Sequence, residues 1–110
     1  MDEPKALTAI SALSNATRLR ILRRLAKAGD QGLSAGEIGK AVDAAPSRAS
    51  FHLSAMTEAG LIRVERHSRQ MTYRVDFQAV GSLIAFIMHD CCQDNETMRS
   101  CCMPKDERSL

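Results

Sequence analysis

The chain has no tryptophan, a single tyrosine and three phenylalanines among its 110 residues. An aromatic core is therefore excluded, and aliphatic side chains must supply the packing. No apolar run approaches the length needed to span a bilayer. The start, Met1-Asp2-Glu3-Pro4, lacks the basic residues and apolar stretch of an export signal. A cytosolic chain is therefore expected, where thiols stay reduced and four cysteines do not imply disulfides. There is no Gly-rich phosphate loop and no nucleophile set beside a general base, so no enzyme is expected. An excess of one charge is missing too. The formal net charge is +2, too little by itself to mark a nucleic-acid binder.

What is present is clustered. Arg18, Arg20, Arg23, Arg24 and Lys27 form one basic group, and Arg63, Arg66, Arg69 and Arg74 a second. Clustered positive charge, rather than net charge, is the electrostatic footprint of DNA binding. All four cysteines fall in the last twenty residues as two vicinal pairs, Cys91-Cys92 and Cys101-Cys102. Vicinal thiols build a poor core but a good trap for soft ions. With 110 residues the chain is one domain with a modest core, which a shared helical surface in a dimer would supplement.

Apolar periodicity predicts a first helix over 6–13 with the stripe Leu7, Ile10 and Leu13. Asn15 is suited to cap a second helix whose buried face is read as Leu19, Leu22, Leu25 and Ala26, ending at Gly29. Ser34 and Glu37 form a capping box opening a third helix, with Ile38 and Val42 inward. After the turn Asp43-Ala44-Ala45, Pro46 starts a fourth helix running to about Ala59. Two helices joined by so short a turn make a helix-turn-helix. Residues 61–65 and 71–75 alternate around the polar tip 66–70, a β-hairpin or wing. From Asp76 onward Phe77, Val80, Ile84, Ile87 and Cys91 step by three and four, a seam with heptad spacing. The expected architecture is mainly α with a β-hairpin, a winged helix-turn-helix dimerising through its first and last helices. Residues 1–92 form that domain, and residues 93–110 a cysteine-containing tail ordered only when metal holds it.

This order of elements resembles the ArsR/SmtB family of metal-sensing repressors. The resemblance rests on Leu13-Ser14-Asn15-Ala16-Thr17-Arg18-Leu19-Arg20-Ile21-Leu22, on Ala49-Ser50-Phe51-His52-Leu53 continuing to Glu58-Ala59-Gly60-Leu61-Ile62, and on Arg66-His67-Ser68-Arg69. Ser68 stands where the family often has glycine. The resemblance implies a repressor that binds double-stranded DNA at an inverted-repeat operator as a homodimer, without a membrane. The fourth helix would present Ser47, Arg48, Ser50 and His52 to the major groove, with Arg48 suited to bidentate guanine contact. Arg66 and Arg69 on the wing would contact backbone or minor groove. Phe51 and Leu53 are assigned to the core.

The sensor departs from part of the family pattern. The cysteine pair that many arsenic sensors carry before the recognition helix is replaced here by Ser34 and Gly36. The zinc-sensor positions fall on Asp76, Gln78, His89 and Cys92, a degenerate set. The adjacent Cys91-Cys92 and the Ser50-Phe51-His52-Leu53 run resemble a branch that responds to arsenic through C-terminal cysteines. Three of Cys91, Cys92, Cys101 and Cys102 would suit trivalent arsenic or antimony as inducer; four would suit zinc or cadmium, which stand second. A thiol redox or reactive-sulfur switch and a soft-metal carrier are the remaining alternatives.

Overall fold

The computed structural model describes residues 1–102; the last eight residues of the expected tail lie outside the described residues. Helix α1 spans Glu3–Leu13, starting three residues before the expected residue 6, because the Asp2 carboxylate accepts the Lys5 N–H at 2.9 Å and Pro4 occupies the first turn. Its inward face is Ala6, Ala9 and Ala12, small side chains that let it lie against α2 and α4. Leu7 and Ile10 face outward. Helix α2 spans Ala16–Ala28, capped by the Asn15 side chain accepting from the Arg18 N–H at 3.1 Å.

The face α2 buries is not the one read from its leucines. Ile21 and Leu25 are fully buried and Leu22 half-buried, whereas Leu19 and Ala26 are exposed. Leu25 belongs to both readings, so the correction is a rotation of the helix toward Ile21, which shares a cluster with Ile38, Leu53 and Met56.

A 3-10 turn at Gly29–Gln31 leads to β1, Leu33–Ser34, a two-residue strand too short to leave a periodic signal. The Ser34–Glu37 capping box then starts α3, Ala35–Ala41, as expected: the Ser34 hydroxyl accepts the Glu37 N–H and the Glu37 carboxylate accepts the Ser34 N–H. The turn into α4, Pro46–Glu58, is tight. The Ala44 N–H donates to the Gly39 carbonyl at 2.9 Å, and a Cβ at Gly39 would stand 3.0 Å from the Ala44 carbonyl oxygen.

Strands β2, Ile62–His67, and β3, Gln70–Val75, form the wing, with Ile62 opposite Val75 and His67 opposite Gln70. They extend further than the alternation suggested and leave a two-residue turn, Ser68-Arg69, in which Ser68 adopts φ +56°. This is a backbone setting that favours glycine. The sheet order is β1-β3-β2, antiparallel throughout. Helix α5, Phe77–Ala85, is capped by the Asp76 carboxylate accepting the Ala79 N–H at 3.1 Å. It continues as a π-helical turn, Phe86–Cys91, and after a short loop α6 spans Glu96–Cys102. No helix among the described residues is long and apolar enough to cross a membrane.

Gly32 holds β1 against the sheet. It sits at φ +66°, and a Cβ there would lie 2.5 Å from the Tyr73 carbonyl oxygen, inside contact distance. Gly29 has nearly the same backbone setting, φ +62°, with open space around it. Such conformations cost a side-chain-bearing residue about 1–3 kcal/mol. We expect Gly29→Ala to lose about that much in urea denaturation and Gly32→Ala to lose distinctly more, both at unchanged m. Equal losses would mean that the sheet contact is immaterial.

Candidate functional site

Helix α4 is oriented by what it buries. Ala49, His52, Leu53 and Met56 face inward, which turns Ser47, Ser50, Phe51 and Ser54 outward, with Arg48 exposed beside them. The residue before the helix, Ala45, has no capping side chain, and Pro46 opens the helix without an N–H to satisfy. Ser47, Arg48 and Ser50 therefore stand at the surface where the sequence put them.

His52 does not. It is 8% exposed, and its Nδ1 accepts a hydrogen bond from Arg18 Nε at 3.0 Å. The proton of the neutral ring then sits on Nε2. Burial first, then the positive charges of Arg18 and Arg48, push the imidazole below the usual histidine range. The expectation placed His52 on the exposed part of the helix; one position from Leu53 and three from Ala49, it falls instead on the buried face. Phe51 is the mirror case. Assigned to the core from its apolarity, it is 67% exposed, with the Arg18 guanidinium 5.7 Å from its ring centroid.

The two basic groups divide. Arg20, Arg23, Arg24 and Lys27 line an open groove with Ala41 and Val42, while Arg18 turns toward α4. On the wing, Arg74 donates to Glu65 and to the Asp30 carbonyl, and Arg63 pairs with Asp76 at 3.8 Å. Arg74 first, then His67, hold the Glu65 carboxyl below its ordinary range. Arg66 and Arg69 make no ion pair among the described residues, so these two guanidinium groups remain for a polyanion. That half of a four-arginine cluster is spent on structure could be foreseen only by placing Glu65 and Asp76 opposite it.

At the other end of the chain, Cys91 closes the π-helical turn, Cys92 follows it, and Cys101-Cys102 close α6. All four are free thiols and only Cys92 is partly covered. In the π-helical turn the Cys92 N–H donates to the Ile87 carbonyl, five residues back, at 3.0 Å. More residues per turn bring neighbouring side chains closer in direction. Between the pairs, Gln93 and Asp94 both adopt positive φ, and the Asp94 carboxylate is engaged by His89 and, at 3.7 Å, by Arg99. The second pair stands at the far end of α6, a helix of seven residues and about 10 Å. Among the described residues no three His, Cys, Asp or Glu side chains are grouped to hold an ion. The donor chemistry fits a thiophilic ion, but the pairs are not assembled in this conformation. The zinc-sensor set is likewise dispersed within one chain: Asp76 caps α5 and His89 engages Asp94.

The model of a helix-turn-helix domain matches residues 13–65. The HTH-type transcriptional regulator YgaV of Escherichia coli is 33% identical over 88 residues, covering 80% of this chain and 87% of that protein. A putative arsenical resistance operon repressor ArsR of Halobacterium salinarum is 34% identical over 76 residues, 69% of this chain and 58% of that one. Among solved structures, the homodimeric winged helix-turn-helix DNA-binding domain Mb0332 of Mycobacterium bovis, described as a possible ArsR-family regulator, superposes with TM-score 0.63 at 27% identity. It covers 83% of this chain and 82% of that one.

The buried His52 gives the head a pH signature. Because the folded state disfavours the imidazolium, the unfolded chain takes up the proton first. The stability this group contributes is full above the ordinary histidine range and is lost as pH falls through that range toward the lower folded value. Between about pH 7 and 5 the denaturation midpoint should therefore drop, and His52→Asn, which keeps an acceptor but does not titrate, should flatten the curve. An unchanged slope in that variant would show that His52 is not its source.

Proposed function

We propose that this chain, which belongs to the ArsR/SmtB family of winged helix-turn-helix transcriptional regulators, is a repressor released from its operator by trivalent arsenic or antimony. The family comprises DNA-binding regulators, not enzymes, and its members answer to metal or metalloid ligands in general. The observation that carries the inducer reading is the two pairs of free vicinal thiols, one closing the π-helical turn that continues α5 and one closing α6. Cys91 and Cys92 with one of Cys101 and Cys102 would hold the ion; when bound, it supplies a covalent tie between the two segments. The name of the Halobacterium salinarum relative supports the same inducer class. Zinc or cadmium, which favour four ligands, rank behind it.

The surface left by the fold supports dimerisation. Leu7 and Ile10 on α1, and Phe77 and Ile84 on α5, are large apolar side chains left exposed in the single chain. Phe77, Ile84 and Cys91 follow one another at intervals of seven, while Val80 and Ile87 pack on the chain's own core. Fully burying such a side chain is worth about 1.5–3 kcal/mol, so four roughly half-exposed ones hold about 3–6 kcal/mol per protomer in reserve for a partner. The homodimeric relative from Mycobacterium bovis supports this use of the surface. Ile84→Lys should convert a dimer in sedimentation equilibrium to monomer; a monomeric wild-type chain at micromolar concentration would overturn the assembly.

In the dimer, two α4 helices would enter successive major grooves of an inverted repeat. Arg48 would bond guanine, and Arg66 and Arg69 would set affinity through the backbone. Drawing α6 toward the end of α5 would change the spacing of the two heads. By linkage, inducer and DNA weaken each other by the same factor, and each tenfold loss of affinity corresponds to about 1.4 kcal/mol. Operator binding by the reduced protein, titrated separately with arsenite, antimonite, cadmium and zinc, tests the reading. Cys91→Ser and Cys92→Ser should bind DNA yet ignore arsenite, whereas Cys101→Ser and Cys102→Ser should differ, one remaining near wild type. A full arsenite response in the Cys91→Ser, Cys92→Ser double variant would overturn it. Release by a disulfide-forming oxidant without metalloid would instead assign these sulfurs to a redox switch.

A further inference from the structure

Phe51 stands at the centre of the surface α4 turns outward, within its first two turns and among Ser47, Ser50 and Ser54. It is the most exposed large apolar side chain among the described residues. The apolar seam of α1 and α5 does not include it. Its ring is nevertheless held rather than loose. The Arg18 guanidinium lies 5.7 Å from the ring centroid, and the His52 ring meets it edge-on at 5.7 Å and 66°. Arg18 is itself fixed by its hydrogen bond to His52 Nδ1. The phenyl group thus has a cation and a buried ring beside it while 67% of the residue stays exposed, on the surface where a recognition helix meets base edges.

A phenyl ring cannot read a base by hydrogen bonding, and a phosphate offers it nothing. The apolar feature that a major groove exposes is the 5-methyl group of thymine. We infer that Phe51 is a specificity-determining residue that contacts a thymine methyl in each operator half-site, with Arg18 and His52 positioning its ring. The neighbouring groups fit that occupant: serine hydroxyls tolerate either a donor or an acceptor, and Arg48 supplies the charged contact to the adjacent base pair. The inference rests on DNA binding by α4 and is independent of the inducer.

The test uses the full chain and a duplex recovered from a random-sequence library by binding selection. Each thymine of that duplex is replaced in turn by deoxyuridine, which deletes the methyl group and leaves base pairing intact. Wild-type protein should lose about fourfold in affinity at one position per half-site, the worth of one buried methyl group. Phe51→Ala and Phe51→Gln should bind more weakly and show no loss at that position, with unchanged circular dichroism and unchanged dimerisation. Phe51→Leu should retain part of the methyl preference. A flat deoxyuridine scan in the wild type, or a methyl preference that survives Phe51→Ala, overturns the assignment. So does a Phe51→Ala protein that changes its oligomeric state while keeping the preference. If the library yields no bound duplex at all, the DNA-binding reading falls with it, a result distinct from a flat scan on a duplex that binds.

Discussion

Leu53 and Met56 lie fully buried in one cluster with Ile21, Leu25 and Ile38, and this packing decides which side of α4 remains for solvent. Helix α4 has little else to hold its rotation. No side chain caps its start, and its apolar character is spread around it. With Ala49, Leu53 and Met56 inward, the outward surface follows by the helical repeat alone. His52 is then carried inside, where its one polar need is met by Arg18. Specificity at the DNA surface is in this sense a product of aliphatic packing on the opposite side of the same helix.

The local signals in the sequence were reliable wherever a single short-range contact decides the outcome. Asn15, the Ser34–Glu37 pair, Pro46 and Asp76 all do what their chemistry suggests, because a cap needs only its own first turn. Errors arose where residue type was used as a proxy for facing direction. Apolarity suggests an inward Phe51 and polarity an outward His52, yet the spacing of Ala49, Leu53 and Met56 puts position 52 on the buried side. On α2 the leucines drew attention from Ile21. Strand β1 was invisible because its two residues are held by pairing with Tyr73 and Thr72, forty residues away in the chain.

The last helix was read as one seam and is two. Val80, Leu83 and Ile87 serve the chain's own core, while Phe77, Ile84 and Cys91 form a separate exposed line. Residues three and four apart do not distinguish a narrow stripe from two neighbouring ones. Nor does sequence spacing reveal that the helix widens to a π-helical turn just before the first cysteine pair, since that depends on which carbonyl the Cys92 N–H reaches. The thiols were legible as soft donors. Their separation by α6 was not.

The buried core ends at Leu83, apart from Met88, and the cysteine pairs begin eight residues later, with Cys91, Cys101 and Cys102 exposed. In the proposed regulator, the residues assigned to chemical input and those assigned to sequence readout share no side chain. Such a chain is modular in the engineering sense. Exchanging the segment after α5 for one with a different donor set would retune the stimulus without rewriting the operator, and a reporter circuit built on this head could accept several interchangeable sensors.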